Sequence, residues 1–324
     1  MVSKDAIIVG GGPCGLAAAI ALQQKGLNPV VIEKGNVVNS LYNYPTHQTF
    51  FSSSEKLEIG DVAFITENRK PVRNQALAYY REVVLRKKIN IQAFERVEKV
   101  EKNENGLFIV TTTKGVYCTP FVVIATGYYD QPNYMNVPGE NLPHVFHYFK
   151  EAHPYFDCDV TVIGGKNSSV DAALELVKAG ARVTVIYRGQ SYSSSVKPWI
   201  LPEFDALVRK GIIHMEFNAE IQSITEHSVE YIVNDSDKKS VKADFVFAMT
   251  GYHPDHAFLQ KMGVDIDSET GCPAYNPETM ETNVDGLFIA GVIAAGNNAN
   301  EIFIENGRFH GGLIADCIKD KLTL

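Results

Sequence analysis

The chain has 324 residues, of which 45% are hydrophobic and 21% charged, a balance that is ordinary for a soluble globular protein. Its 30 Lys and Arg against 38 Asp and Glu leave a net charge of −8, which argues against a general nucleic-acid or anionic-membrane surface. No stretch has the length of a membrane span, and the first residues lead into a predicted strand without a signal peptide. We therefore expect a cytoplasmic protein with two domains.

The first predicted element is a dinucleotide-binding unit. An apolar strand feeds a Gly10-x-Gly12-x-x-Gly15 turn, a helix of small residues follows, and a second apolar strand ends on Glu33. In this pattern Gly10 makes the tight turn, Gly12 lets the backbone approach a pyrophosphate, and Gly15 permits close helix–strand packing. The helix N-terminus supplies N–H donors to the phosphates, and Glu33 can accept from both hydroxyls of an adenine ribose.

The glycine turn also contains Cys14, in the first turn of the predicted helix. The helix dipole and the free N–H groups favour a thiolate at such a position. The alternative is a small packing residue, since Cys is hardly larger than Ala. The five cysteines include no Cys-x-x-Cys pair, so neither a zinc ribbon nor a local redox dithiol is predicted, and we expect no metal site.

The residues after Glu33 predict a long irregular segment, called here the excursion, followed by a helix and several strands. Residues 34–61 lack periodicity and are rich in aromatic and hydroxyl side chains, which suits a segment that covers a large ring system; an ordinary surface loop is the alternative. Helical spacing follows over residues 72–88. Strand alternation then occupies the segments 89–93, 97–102, 107–112 and 116–118, and residues 121–127 predict an apolar strand that ends in a turn of small residues. Residues 128–143 predict a linker.

The opening pattern then returns in a degraded form. An apolar strand leads to Gly164, but Lys166 stands where the second glycine belongs and Ser169 where the third does. The next strand ends on Arg188 in place of an acid. An arginine pairs with a 2′-phosphate, whereas an acid repels it, so this second site is predicted to prefer NADP(H), with Lys197 adding charge.

The last third predicts a strand that ends in a small-residue turn at Gly251, another that ends at Gly291, and a closing helix over residues 301–319. The N-terminus of that helix can point at a flavin, where its dipole would stabilise negative charge on the reduced ring.

Together these motifs resemble the low-molecular-weight thioredoxin-reductase-like flavoproteins over nearly the whole chain. The resemblance implies an α/β fold with two Rossmann-like three-layer domains, an FAD domain of residues 1–128 and 256–324 and an NADPH domain of residues 129–255, usually in a homodimer or higher homo-oligomer. The expected FAD-binding residues are Gly10, Gly12, Pro13, Gly15, Glu33, Lys34, Tyr42, His47, Val97, Ala125, Thr126, Gly127, Gly291, Val292, Ile302 and Phe303. The expected NADPH-binding residues are Gly164, Lys166, Asn167, Ser168, Ser169, Arg188, Lys197 and Gly251.

Three departures narrow the resemblance. The Cys-x-x-Cys of the thioredoxin reductases is missing, Val292 replaces the Asp that binds the flavin ribityl chain in that family, and Cys14 replaces an Ala. Within the family the chain looks like the bacterial bacillithiol-disulfide reductases. That likeness implies hydride transfer from NADPH to FAD and then reduction of a small-molecule disulfide, bacillithiol disulfide, through a mixed disulfide at Cys14, the expected catalytic residue.

Other activities remain open at this stage. A ferredoxin- or flavodoxin-NADP reductase has the same two-domain layout and would be indifferent to Cys14. A redox-sensing flavoprotein would oxidise NADPH slowly with every acceptor. A flavin monooxygenase is the least favoured, because the stretch from Gly139 to His144 is one residue too long for that family's linker motif.

Overall fold

The computed structural model describes residues 2–298 and 300–323; positions 1, 299 and 324, which include both ends of the expected FAD domain, lie outside the described residues. The chain divides into two compact units. Unit 1 comprises the described residues up to Gln131 and from Tyr252 onward, and unit 2 comprises Pro132–Gly251.

The strands are β1 (Val2–Ser3), β2 (Ile7–Val9), β3 (Val30–Ile32), β4 (Ile91–Gln92), β5 (Val97–Lys102), β6 (Phe108–Thr112), β7 (Val116–Thr119), β8 (Val122–Ile124), β9 (Val145–Phe146), β10 (Asp159–Ile163), β11 (Arg182–Ile186), β12 (Ile213–Glu216), β13 (Ala219–Ile224), β14 (Ser228–Val233), β15 (Asp237–Lys242), β16 (Phe245–Ala248) and β17 (Leu287–Ile289). The α-helices are α1 (Pro13–Gln24), α2 (Asn39–Tyr42), α3 (Arg73–Arg86), α4 (Asn167–Lys178), α5 (Leu201–Arg209), α6 (His256–Lys261), α7 (Ile304–Gly307) and α8 (His310–Thr323). Short 3₁₀ turns occupy Ser54–Leu57, His153–Tyr155 and Val292–Ala295.

Unit 1 is built on a five-stranded parallel sheet in the order β17-β8-β2-β3-β4, with a second, four-stranded sheet β1-β7-β6-β5. Strand β2 is central, and Val9 pairs with Ile32 on one side and Ile124 on the other. Because the three strands are parallel and in this register, the residues that follow them come to the same sheet edge. This edge, where neighbouring connections diverge, is where ligands bind in open α/β sheets.

Unit 2 repeats the arrangement. Its parallel sheet has the order β12-β11-β10-β16-β9, and an antiparallel hairpin sheet β13-β14-β15 accompanies it. Ile163 at the end of the central strand pairs with Ile186 and Ala248. The second glycine turn therefore begins at the position that corresponds to the first. Both central strands are buried, as the near-continuous apolar runs predict for parallel sheets.

The helix pair α1 and α8 packs closely in unit 1. A Cβ placed on Gly311 would stand 2.6 Å from the Cα of Ala18, so the two backbones approach within a distance that only glycine allows. The small residues that open α1 thus serve packing against α8 as well as the glycine turn.

The prediction of a single closing helix over residues 301–319 is wrong in two respects, the residue at which the helix starts and its continuity. The chain instead forms the short helix α7 and then α8, which begins at His310. Asn306 accounts for the later start, because its Oδ1 accepts from the Phe303 amide at 2.7 Å and so caps the first turn of α7.

Candidate active site

The first glycine turn has the close approaches that a dinucleotide loop requires. Gly10 has a φ of +111°, and a Cβ there would stand 2.5 Å from the Ala125 carbonyl oxygen. A Cβ on Gly15 would stand 2.1 Å from the Gly10 oxygen. At Gly12, by contrast, a Cβ would meet nothing within 4 Å. The turn is thus tight against its own sheet and open at the position where a phosphate would approach the backbone.

Glu33 lies directly beyond β3, buried beside this turn. Its Oε2 accepts a hydrogen bond from the Gly11 amide at 2.7 Å, and its Oε1 accepts one from the Gly35 amide at 2.7 Å. Burial raises the pKa of Glu33, and the two amide hydrogen bonds act in the opposite direction. Each carboxylate oxygen has two acceptor sites, so both can still accept a ribose hydroxyl.

Thr126 supplies an independent sign of a missing partner at the same sheet edge. Its Oγ1 is buried and makes no hydrogen bond within the described part of the chain. Its neighbour Gly127 has a φ of +69°, and a Cβ built there would stand 4.0 Å from Val292 Cγ1. An orphaned hydroxyl beside an open glycine fits a polar cofactor that follows the carboxyl edge of the sheet. The residues of unit 1 therefore fit a bound FAD.

The remaining expected FAD residues are spread over unit 1. Lys34 forms an ion pair with Asp130 at 2.8 Å, and Tyr42 is exposed with its ring 5.2 Å from the guanidinium of Arg73. Pro13 is the first residue of α1, His47 is exposed, Val97 begins β5 in the second sheet, Gly291 is buried after β17, and Ile302 and Phe303 precede α7, half-buried and exposed respectively. The excursion over residues 34–61 contains α2 and a 3₁₀ turn and is less irregular than expected.

Cys14 occupies the first turn of α1, as predicted. The prediction that this position favours a thiolate is wrong for this structure. Burial, and secondarily the charge of Glu305, raise the pKa of Cys14 to about 12. The residue as a whole is partly exposed. The favourable helix dipole acts only within the first turn and is outweighed here by the loss of hydration. At neutral pH Cys14 is a thiol.

The second glycine turn approaches its own sheet as closely as the first does. Gly164 has a φ of +136°, and a Cβ there would stand 2.5 Å from the Met249 oxygen. Lys166 is exposed before α4. Asn167 ties the turn to the loop that follows β11, because its Nδ2 donates to the Ser195 oxygen at 2.8 Å and its Oδ1 accepts from the Lys197 amide at 2.9 Å.

The strand register refines the position of Arg188. Glu33 comes directly after the residue paired with Val9, and the corresponding residue after β11 is Tyr187. The Tyr187 ring packs on Gly165, where a Cβ would stand 2.4 Å from it. Arg188 is one residue further on, exposed, and forms no ion pair among residues 2–298 and 300–323. Its charge is therefore available at the edge where the second turn opens.

Ser168 is exposed and Ser169 buried in the first turn of α4, where the Ser169 hydroxyl donates to the Lys166 oxygen at 2.9 Å. Gly251, with a φ of +91°, ends unit 2 and follows β16 by three residues. All of the expected NADPH residues therefore belong to unit 2, and all of the expected FAD residues belong to unit 1.

Sequence reasoning missed the partners of Cys14. A Cβ on Gly307 would stand 3.0 Å from Cys14 Sγ, and Glu305 in the same short helix accepts a hydrogen bond from Ser52 Oγ. It also missed Arg73, a buried cation at the start of α3 whose Nε makes no hydrogen bond within the described residues. None of these positions belongs to a recognisable local motif, so no pattern in the chain signals them.

The chain matches a known protein family and is similar to proteins of that family. A family model described as pyridine nucleotide-disulphide oxidoreductase matches residues 7–291. The Bacillus subtilis (strain 168) protein named bacilliredoxin reductase Bdr is 72% identical over 315 residues, which span 97% of each chain.

Solved structures of proteins with similar names also match this chain. Bacillithiol disulfide reductase Bdr (YpdA) from Bacillus cereus matches with a TM-score of 0.97 and 69% identity, covering 98% of this chain and 99% of that chain. The Staphylococcus aureus structure of the same name matches with a TM-score of 0.96 and 60% identity over 99% of each chain. Thioredoxin reductase from T. acidophilum, at 20% identity and a TM-score of 0.80 over 100% of each chain, confirms the predicted thioredoxin-reductase-like fold.

Proposed function

Because this chain belongs to the pyridine nucleotide-disulphide oxidoreductase family, we propose that it is an NADPH-dependent FAD enzyme that reduces a low-molecular-weight thiol disulfide, bacillithiol disulfide. The observation that carries this proposal is the pair of glycine turns on two similar parallel sheets, with Glu33 directly after the neighbouring strand in unit 1 and Arg188 two residues after the neighbouring strand in unit 2. The names of its relatives in Bacillus cereus and Staphylococcus aureus supply the substrate class.

Unit 1 would hold FAD. The open backbone at Gly12 and the N-terminus of α1 suit the pyrophosphate, Glu33 suits the adenine ribose, and the Thr126 hydroxyl suits a polar group of the cofactor. When bound, FAD supplies two-electron transfer between a nicotinamide and a disulfide.

Unit 2 would hold NADPH. The exposed Arg188 suits the 2′-phosphate, and the exposed Lys166 beside the second turn suits the pyrophosphate. A guanidinium binds a phosphate through two parallel hydrogen bonds, so its position after β11 favours NADPH over NADH.

Cys14 would form a mixed disulfide with one half of the substrate. Cys14 lies within the first glycine turn, and the residue as a whole is partly exposed. Thiol–disulfide exchange requires a thiolate, so a group that removes the proton of Cys14 is part of this mechanism.

A ferredoxin- or flavodoxin-NADP reductase is not favoured, because the highly similar relatives carry the names of disulfide or bacilliredoxin reductases. None of the helices in the described ranges has the length and apolarity to cross a bilayer. A homo-oligomeric state belongs to the same proposal and rests on the family resemblance, whereas a cytoplasmic location remains a prediction from the sequence.

Anaerobic NADPH consumption tests the proposal in the FAD-loaded wild type and in Cys14→Ala, with bacillithiol disulfide as acceptor. We expect turnover in the wild type and its loss in the variant, with FAD still bound. An oxidised bacilliredoxin is the second acceptor, since the Bacillus subtilis relative is named a bacilliredoxin reductase. Turnover only with ferredoxin would overturn the proposal, and equal disulfide turnover in both proteins would overturn the role of Cys14.

A further inference from the structure

The sulfur of Cys14 lies in a notch formed by two glycines from distant parts of unit 1. A Cβ built on Gly291, just beyond β17, would stand 3.0 Å from Cys14 Sγ, and one built on Gly307, in α7, would also stand 3.0 Å from it. The thiol group is buried, although the residue as a whole is partly exposed. A disulfide bond to Cys14 would place a second sulfur about 2.05 Å from Sγ, and these two backbones leave no room for it on their sides of the notch. Part of the notch therefore has to move before Cys14 can react with a disulfide.

The elements around the sulfur differ in how much of each is buried. Helix α1, which carries Cys14, has seven buried residues among its 12, and all three residues of β17 are buried. Of the four residues of α7, Gly307 alone is buried. An element with few buried contacts opens at a lower cost in free energy than an element of the core. Helix α7 is therefore the part of the notch that can lift from the sulfur.

Side-chain hydrogen bonds to the excursion hold α7 in place. Arg308, the residue after this helix, donates through Nη1 to the Glu55 carbonyl at 3.1 Å and also to the Glu58 carbonyl. The Ser52 hydroxyl donates to Glu305 Oε1, on the helix itself. Arg308 supplies two of these three bonds and is therefore the main anchor of α7.

The surroundings of Arg308 allow this anchor to be released. The residue is half-buried, and its guanidinium lies 4.7 Å from the ring centre of Phe309, which is exposed. Its Nε is buried and makes no hydrogen bond among residues 2–298 and 300–323. A buried donor without an acceptor costs free energy, and water can bind this donor once the side chain moves outward. The bonds lost on release are thus partly offset by hydration of Nε.

We propose that Arg308 is a positioning residue that holds α7 over the sulfur of Cys14, and that a disulfide reaches this sulfur when the contact opens. The link to catalysis rests on the proposed function, whereas the test below does not require a disulfide substrate. Lifting α7 also hydrates the thiol, which removes part of the burial that raises the pKa of Cys14. One movement therefore exposes the sulfur and lets it ionise at a lower pH.

Alkylation by iodoacetamide measures the exposure of Cys14, because the reagent bonds to the sulfur and iodide leaves. In the FAD-loaded protein, Arg308→Ala should increase the alkylation rate of Cys14 by roughly 10- to 100-fold, since hydrogen bonds from a charged group are lost. Arg308→Lys keeps a charged donor and should increase the rate less. Ser52→Ala removes a single bond and should also have a smaller effect than Arg308→Ala. Mass spectrometry of the cysteine peptides over time gives each rate.

The other cysteines distinguish a local opening from a general loss of stability. Each of them is partly buried in the folded chain, so each should react faster if the whole protein were loosened. In Arg308→Ala we expect wild-type alkylation rates at all four of these positions, which are Cys118, Cys158, Cys272 and Cys317.

A matched variant and two outcomes complete the test. Arg86→Ala removes an exposed, ion-paired arginine of the same unit and should alkylate as the wild type does. An unchanged or slower rate at Cys14 in Arg308→Ala, with FAD bound, would overturn the proposal, and so would an equal acceleration at all five cysteines. Failure of the proposed function would appear instead as absent disulfide turnover in the wild type, and it would leave these alkylation rates unaffected.

Discussion

The Gly11 amide donates a hydrogen bond of 2.7 Å to Oε2 of Glu33, which joins the first glycine turn to the end of the neighbouring strand. The Gly35 amide binds the other carboxylate oxygen at the same distance. Glu33 is therefore held by two backbone donors before any ligand contributes, and its carboxylate is presented in one fixed orientation at the edge of the sheet. This pre-organisation lowers the entropic cost of binding a ribose.

Replacing Glu33 with Gln should weaken FAD binding. The amide nitrogen of Gln cannot accept a hydrogen bond, so the side chain loses one of its acceptors for the ribose hydroxyls, at a cost of about 1–3 kcal/mol, or roughly 5- to 150-fold in the dissociation constant. Flavin fluorescence during titration of the cofactor-free protein measures this affinity. Glu98→Gln, an exposed change in β5, should leave it unaltered, and equal affinities for all three proteins would exclude Glu33 from the cofactor site.

The wild-type affinity for FAD should also depend on pH through Glu33. Because burial raises the pKa of Glu33, its carboxylate takes up a proton at a higher pH than a free carboxyl does as the solution is acidified. Protonation removes acceptor capacity, so FAD should bind more weakly as the pH falls. The same titration repeated at several pH values should show this weakening in the wild type and a flatter profile in Glu33→Gln.

Replacing Thr126 with Val should separate the stability of the cofactor-free protein from cofactor affinity. The Oγ1 of Thr126 is buried without a hydrogen bond among the described residues, so its removal should leave the cofactor-free melting temperature unchanged or higher. FAD affinity should fall by roughly 10-fold if this hydroxyl binds the cofactor. Thr126→Ser, which keeps the hydroxyl, should retain FAD. A Val variant with wild-type affinity would argue against the contact.

Replacing Arg188 with Ala should raise the KM for NADPH by roughly 10- to 100-fold, because one charge-assisted phosphate contact contributes about 1.5–3 kcal/mol. The kcat/KM with NADH, which lacks the 2′-phosphate, should stay nearly constant. Steady-state kinetics with both nucleotides measure the difference. Arg209→Ala removes an exposed, ion-paired arginine of the same unit and serves as control. Equal losses with NADPH and NADH would contradict the assignment.

Replacing Asp171 with Asn should change the pH dependence of stability. Burial, assisted by Glu175, raises the pKa of Asp171 on α4 to about 6. Between about pH 4 and 6 the native state therefore binds more protons than the unfolded state, so stability falls as the pH rises through this window. At pH 7 the variant should be more stable by about 2–3 kcal/mol, and this difference should vanish below about pH 4.

The melting temperatures of the wild type and Asp171→Asn, compared from acid to neutral pH without nucleotide, measure this effect. Glu151→Gln, an exposed change in the same unit, should shift the melting temperature equally little at every pH. A constant offset between Asp171→Asn and the wild type across the range would mean that ionisation of Asp171 is not the cause.

The sequence by itself determined the two glycine turns, the strands that precede them and the charges that follow. Tight turns need glycine, and buried parallel strands need apolar runs, so these features are encoded locally at Gly10 and Gly164. Structural features that depend only on residues close together in the chain can be predicted from the sequence.

Only the tertiary structure decided the chemistry of Cys14. Its position at a helix start favours a thiolate, but burial raises the pKa of the thiol, and Gly291 and Gly307, both far along the chain, lie against its sulfur. Ser52 and Glu305 are separated by 253 positions and meet through a hydrogen bond. Desolvation and charge act over a few ångströms in space regardless of sequence separation, so folding alone sets the protonation of this thiol.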